Sequence, residues 1–128
     1  MVLDSSAIVA IYLEEPGHER LIQAIEQANI VLIGTPTLLE TAMVLSPRLG
    51  QDARPLLRSF LHNALAETVA FNDNHLDVAT TAFLRFGRGR HPAALNFGDC
   101  MSYAVAFIAN MPLLFTGEDF TRTDIGRA

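Results

Sequence analysis

The sequence predicts one α/β domain over residues 1–128, a mostly parallel central sheet of four to five strands with helices on both faces. Three observations carry that expectation. Short apolar runs alternate with helix-periodic segments along the whole chain, the pattern that builds a parallel sheet from successive crossovers. Ile30-Val31-Leu32-Ile33 is an uninterrupted, β-branched-rich run, which suits a strand buried on both faces. The chain has 128 residues, 50% of them apolar, enough for one core without disulfides or a structural metal.

Each element has a local reason. Met1-Val2-Leu3 reads as a short strand that ends on Asp4. Ser5 or Ser6 can cap a helix over Ala7–Leu13, stopped by Glu14-Glu15-Pro16-Gly17. A second helix is expected over about 17–28, where Leu21, Ile22, Ile25 and Ala28 share a face. The strand at 30–33 ends at Gly34, and Thr35 or Thr37 starts a helix over about 36–46 that Pro47 and Gly50 punctuate. A further helix is expected over about 51–64. Glu67-Thr68-Val69-Ala70-Phe71 reads as the third strand, and Asn72 or Asp73 caps a helix over about 73–86. Gly87-Arg88-Gly89-Arg90-His91-Pro92 is a basic loop. Asn96 or Gly98 leads into a helix over about 98–109, and Pro112–Thr116 is the fourth strand. A turn at Gly117–Phe120 and a short final strand at Thr123-Asp124-Ile125 complete the expectation.

Composition excludes several chemistries. All nine basic residues are Arg. Without Lys there is no P-loop lysine, no Schiff base and no Ser–Lys dyad. The formal charge is −5, unlike that of proteins that coat nucleic acid, but carboxylates that hold a metal inflate an acid count. The lone Cys100 cannot pair internally, and beside an apolar helix it reads as a small core residue. The four His residues have no zinc spacing. Residues 100–117 carry no charge, but Asn110 and Pro112 break them into a buried helix, a turn and a buried strand. No secretory leader is apparent, so the expected location is the cytoplasm, away from membranes.

In open parallel sheets, ligands gather outside the carboxyl ends of strands, at a topological switch point. That rule brings four distant acidic positions to one edge. Asp4 follows the first strand, and Glu40 lies early in the helix after the second. Asp99 opens the helix before the fourth strand, and Glu118-Asp119 follow that strand. Each has a plainer reading: Asp4 and Asp99 as helix caps, Glu40 as an exposed first-turn acid, Glu118-Asp119 as a solvated turn. Their order along the chain is what favours a shared site.

The motifs around these acids resemble those of PIN-domain ribonucleases. Met1-Val2-Leu3-Asp4-Ser5-Ser6-Ala7 resembles the family's opening. Leu39-Glu40, after a Thr-rich turn, resembles its second motif. Leu95-Asn96-Phe97-Gly98-Asp99-Cys100, followed by Tyr103-Ala104, resembles the third, and Leu113–Phe120 the fourth. The resemblance covers the whole chain, and its size is similar to that of VapC toxins, the ribonuclease half of bacterial toxin–antitoxin pairs. It implies a PIN-like fold and RNA cleavage dependent on Mg²⁺ or Mn²⁺, with Asp4, Glu40, Asp99 and Asp119 as metal-holding and catalytic acids. The family pattern favours Asp119 over Glu118. Hard cations prefer such oxygen donors, and the products would carry a 5′-phosphate and a 3′-hydroxyl.

Ser6 and Thr116, with Asn96 as a weaker candidate, would orient a water or a carboxylate. Arg85, Arg88 and Arg90 with His91 are the expected RNA contacts, since Arg can grip phosphate bidentately; a solvated helix end is the plainer reading. The sequence does not reveal the RNA target, and transfer RNA is suggested by family analogy only. The resemblance further implies a homodimer and a groove for a helix of a VapB-type antitoxin. Ile8, Ile11, Tyr12 and Leu13 with Leu56, Leu57 and Phe60 are candidates for that groove beside ordinary core packing. Two other readings compete: a catalytically inactive PIN fold kept for RNA or partner binding, and another Mg²⁺-dependent phosphohydrolase. The latter class commonly places a second Asp two residues after the first, where this chain has Ser6.

Overall fold

A computed structural model describes the chain from Met1 to Ala128. Four strands are present: β1 (Val2–Leu3), β2 (Leu32–Gly34), β3 (Glu67–Val69) and β4 (Leu113–Leu114). Six helices alternate with them: α1 (Ser5–Tyr12), α2 (His18–Glu26), α3 (Thr35–Leu49), α4 (Arg54–Asn63), α5 (Asp73–Phe86) and α6 (Phe97–Ala109). A short 3-10 helix spans Asp119–Arg122. All strand pairs are parallel, in the order β3-β2-β1-β4. The chain grows outward from β1 to β3, then crosses to the other side of β1. The switch point therefore lies between β1 and β4.

Alternation along each strand feeds two cores. Val2 and Leu113 point into a cluster closed by Ala82 and Phe86 of α5 and by Tyr103, Val105 and Ala106 of α6. Leu3, Ile33 and Leu114 point into the opposite cluster, closed by Ile8 of α1, Ile25 of α2, Leu45 of α3 and Leu57 of α4. Gly34 is needed where β2 meets α6, since a Cβ there would stand 2.9 Å from Val105.

Several boundaries differ from expectation; β3 ends at Val69 rather than Phe71 and β4 covers only Leu113–Leu114, where the pairing with β2 and β1 stops. Asp4, not a serine, caps α1, so the helix starts at Ser5. β2 falls at Leu32–Gly34, because the register with β1 pairs Val2 with Leu32 and leaves Ile30 half exposed. α3 continues through Pro47, because one lost N–H in an exposed last turn is tolerable. Gly50, at φ 66°, then ends it with bonds to Pro47 and Ser46 carbonyls. α4 starts only at Arg54, because the Ser46 hydroxyl holds the Ala53 N–H and Asp52 holds that of Arg54. No strand forms at 123–125; the tail instead pairs Arg127 with Leu113. The sheet therefore has four strands. No helix is long and apolar enough to cross a membrane.

Candidate active site

Asp4 sits at the end of β1, with its N–H donating to the Leu114 carbonyl of β4 at 3.0 Å. Only 3% of the residue is exposed. Its Oδ2 accepts from the Ser6 N–H at 3.0 Å and from the Ser6 hydroxyl at 2.6 Å. The same hydroxyl accepts from the Thr116 N–H at 3.1 Å, so Ser6 ties the two strand ends together across the switch point. No buried polar side-chain atom lacks a partner, so the unbonded Oδ1 of Asp4 opens onto the crevice. The contribution of Thr116 is its backbone N–H; its hydroxyl, the expected orienting group, makes no hydrogen bond.

Asp99 is built similarly. Asn96 and Asp99 form a capping box at the start of α6. The Asn96 side chain accepts from the Asp99 N–H at 2.9 Å, and Asp99 Oδ2 accepts from the Asn96 N–H at 2.8 Å. Asn96 thus orients the carboxylate through its backbone. Burial and the neighbouring charges of Asp4 and Asp119 push the Asp99 carboxyl up to about 6, although the Asn96 bond and the Arg88 charge oppose this.

Glu40 lies on the second turn of α3, half buried rather than an exposed first-turn acid. Its carboxyl is raised by burial first, then by the charges of Asp4 and Asp99, while the Ser5 hydroxyl favours the charged form. It packs against the backbone of Gly98, where an added Cβ would lie 2.6 Å from Oε1. Gly98 was offered by the sequence only as a helix start, yet its missing side chain is what admits Glu40. Thr37 and Ser102 are two further residues that the sequence reading missed. Both are 1% exposed, and their hydroxyls meet at 3.1 Å. Each stands one helical turn from an acid, Thr37 before Glu40 and Ser102 after Asp99, so the link fixes α3 against α6 beside the site. A buried hydroxyl one turn from a half-buried acid is the signal that could have found them.

Asp119 is exposed on the 3-10 helix, and its charge reaches Asp99. Glu118 is engaged elsewhere, accepting from the Thr121 hydroxyl at 3.2 Å. Charge couples the acids, Glu40 to Asp4 and Asp99, and Asp99 to Asp4 and Asp119, and none of the ion pairs in the protein neutralises any of them.

The donor set fits a hard divalent cation. It offers carboxylate oxygens only, because Cys100 is a buried thiol held up at about 11. No three His, Cys, Asp or Glu side chains are placed closely enough to form a ready-made metal cage. A hydrated cation that reaches the more distant carboxylates through its own waters suits that spread.

The basic residues divide. Arg88 is exposed and near enough to Asp99 to lower its pKa. Arg90 is exposed and lies over the Phe83 ring at 5.4 Å. Arg85 is committed to an ion pair with Asp124 at 3.0 Å and lies over the Phe86 ring at 4.6 Å, so it is not the free phosphate ligand expected. His91 organises the loop: its Nδ1 accepts from the Ala93 N–H at 3.1 Å, and its ring meets the edge of Phe86.

Of the apolar groove candidates, Ile8 and Leu57 are core. Ile11, Tyr12, Leu13, Leu56 and Phe60 are partly buried, and the Tyr12 and Phe60 rings meet tilted at 5.9 Å. A separate cleft of about 700 Å³ between α3 and α6 is lined by Leu39, Glu40, Met43, Phe97 and Met101.

Comparison with known proteins gives a consistent picture. A model of the PIN domain matches residues 1–126. Ribonuclease VapC30 of Mycobacterium tuberculosis is 46% identical over 98% of the chain and 95% of its own length. Ribonuclease VapC of Mycolicibacterium smegmatis is 43% identical over 98% and 97%. Among solved structures, VapC20 of M. tuberculosis, described as a sarcin–ricin-loop-cleaving toxin, superposes with a TM-score of 0.79 at 15% identity, over 99% of this chain and 97% of that one.

Proposed function

The chain belongs to the PIN-domain family, among the VapC ribonucleases that act as endoribonuclease toxins of toxin–antitoxin systems, and from that premise we propose that it hydrolyses RNA with Mg²⁺ or Mn²⁺ held by Asp4, Glu40, Asp99 and Asp119. The observation that carries the reading is the uncompensated charge at the β1–β4 switch point. Burial first, then the charges of Asp4 and Asp119, raise the Asp99 carboxyl to about 6, and no ion pair involves any of these acids. A bound divalent cation would supply Lewis acidity, activating water and offsetting charge on the phosphate.

The chain's own residues prepare the site. Ser6 holds one oxygen of Asp4 and leaves the other free. The Asn96 N–H does the same for Asp99. Gly98 lets the Glu40 carboxylate come up against α6. Arg88 and Arg90 grip the RNA backbone beside the scissile phosphate. Structured RNA, transfer RNA included, is the substrate class, and the cytoplasm is where the enzyme works. Divalent-dependent cleavage of a structured RNA tests the reading. EDTA, Asp4→Ala and Asp99→Ala should each abolish it, and cleavage that survives both substitutions would sink the metal site.

Two partners follow. A VapB-type antitoxin covers the groove between α1, α2 and α4, where Ile11, Tyr12 and Phe60 leave apolar surface open. A basic antitoxin side chain would find the uncompensated carboxylates. Mixing the protein with the product of the neighbouring gene and finding no complex would remove this partner. A second copy covers the exposed apolar surface of α3 and α6, where Leu39, Met43 and Phe97 are 62%, 68% and 81% exposed. Sedimentation at micromolar concentration should give a dimer, and Met43→Glu should shift it to monomer.

A further inference from the structure

The Asp119 side chain makes no hydrogen bond, so its position follows that of the 3-10 helix and the tail that carries it. Phe120 is buried against Phe115, with ring centroids 5.0 Å apart. That contact anchors the 3-10 helix on the core. The Thr123 hydroxyl donates to the Phe120 carbonyl at 2.8 Å and closes the turn. The next residue, Asp124, makes the side-chain tie nearest the 3-10 helix, beside the backbone pairing of Gly126 and Ala128 with Leu113 further along the tail. Its Oδ1 accepts from the Tyr103 hydroxyl at 2.6 Å, and its Oδ2 pairs with Arg85 at 3.0 Å. Tyr103 is 2% exposed and stacks on Phe107 at 5.8 Å, while Arg85 rests on Phe86. Tyr103 is therefore set by the core and Arg85 by its packing on the Phe86 ring, and a carboxylate gripped from two directions is fixed in orientation as well as in distance.

We infer that Asp124 is a positioning residue for the active site, a latch with which Tyr103 of α6 and Arg85 of α5 hold the tail so that Asp119 faces Asp4 and Asp99. This inference rests on the metal-dependent reading above. It also gives Arg85 a role: the arginine that does not reach out to RNA shapes the site from behind. Asp124 touches neither substrate nor cation and acts through Asp119.

The test uses the full chain. Asp124→Ala removes both ties, Asp124→Asn keeps an acceptor for Tyr103, and Tyr103→Phe removes one hydroxyl from an otherwise unchanged ring. Mn²⁺ affinity by calorimetry should fall about tenfold in Asp124→Ala, the lower end of what supporting residues contribute to metal sites. kcat should fall with KM unchanged, and Asp124→Asn should recover part of both. Combined with Asp119→Asn, the loss should be no greater than with Asp119→Asn alone, because the latch has nothing left to position. Amide exchange at Thr121 and Thr123 should quicken in Asp124→Ala and Tyr103→Phe, whether or not a cation binds. Unchanged exchange overturns the latch by itself, as does a fully additive double variant. A wild-type protein that binds no Mn²⁺, yet shows the quickened exchange in the variants, overturns the metal reading and leaves the latch standing as a structural tie.

Discussion

Asp99 carries two loads at once, and its two oxygens divide them. One closes the capping box at the start of α6, and the other faces Asp4 and Asp119. The sequence posed cap and site as alternatives for Asp4 and Asp99. The structure gives both residues a cap role and still leaves each an oxygen on the crevice, because a carboxylate has more acceptor capacity than a cap uses. The raised Asp99 carboxyl has a consequence for stability. Its value in an unfolded chain is near 3.8, against about 6 in the fold. Between those values the native state holds a proton that the unfolded state has lost, so this contribution favours folding at low pH and is lost as pH rises through about 6. Without divalent cations at pH 7, Asp99→Asn should therefore melt higher than wild type. After allowance for solvent screening the gain is on the order of 1 kcal/mol, or about 3–5 °C. The gap should narrow markedly by pH 4.5 and close only below about pH 3.8, and saturating Mg²⁺ should reverse it by stabilising only the wild type. Calorimetric melting at the two pH values decides the matter; an identical gap at both would show that Asp99 is not strained in the native state. Gly98→Ala gives a second residue-scale test. On helix propensity alone it should stabilise α6. Because the new Cβ would meet the Glu40 carboxylate, it should instead cut cleavage at least tenfold with the circular dichroism unchanged.

At the scale of elements, legibility followed how local the determining interactions are. α5 was expected over 73–86 and occupies Asp73–Phe86, because Asn72 caps it with a reciprocal box to His75 and Gly87 ends it, all read from neighbours in sequence. β2 slid to Leu32–Gly34 because its place is set by pairing with β1 and β3 on either side. The expected strand at 123–125 failed for a related reason. Thr123 and Asp124 spend their polar groups on Phe120, Tyr103 and Arg85, partners that no local pattern reveals. The loop between α5 and α6 shows the same division. Its basic character was plain, but the commitment of Arg85 to Asp124 was not. Its ends are tied by the Gly87–Leu95 bridge and by His91, which leaves Arg88 and Arg90 as a rigid, exposed pair. Replacing both with Ala should weaken RNA binding and reduce the slope of log affinity against log salt by about one to two, if each arginine neutralises one phosphate. Arg85→Ala should leave that slope nearly unchanged and lower the melting temperature instead. A slope that drops in Arg85→Ala but not in Arg88→Ala would reverse the assignment.

For the whole molecule, the net charge of −5 is a statement about the site rather than about the surface. Of the 14 acidic residues, four converge at the switch point, so 14 − 4 = 10 acids face 9 Arg elsewhere, a balance of −1. The remainder of the surface is close to neutral, while the crevice proposed to accept a phosphate carries most of the surplus. Uncompensated carboxylates there repel RNA at the point of contact, and a partly enclosed site screens that repulsion less than open water does. Divalent cations should then be needed for binding as well as for cleavage. A protein with Asp4→Asn, Glu40→Gln, Asp99→Asn and Asp119→Asn keeps the side-chain shapes and removes the charge. In EDTA it should bind a structured RNA about tenfold more tightly than wild type, and Mg²⁺ should improve wild-type binding while changing the variant little. Filter binding at fixed ionic strength measures both. Equal affinity of the two proteins in EDTA would mean that the acids do not govern RNA access. The net charge would then have to be explained by the other ten acids, among which Asp52 and Asp124 are already paired with arginines.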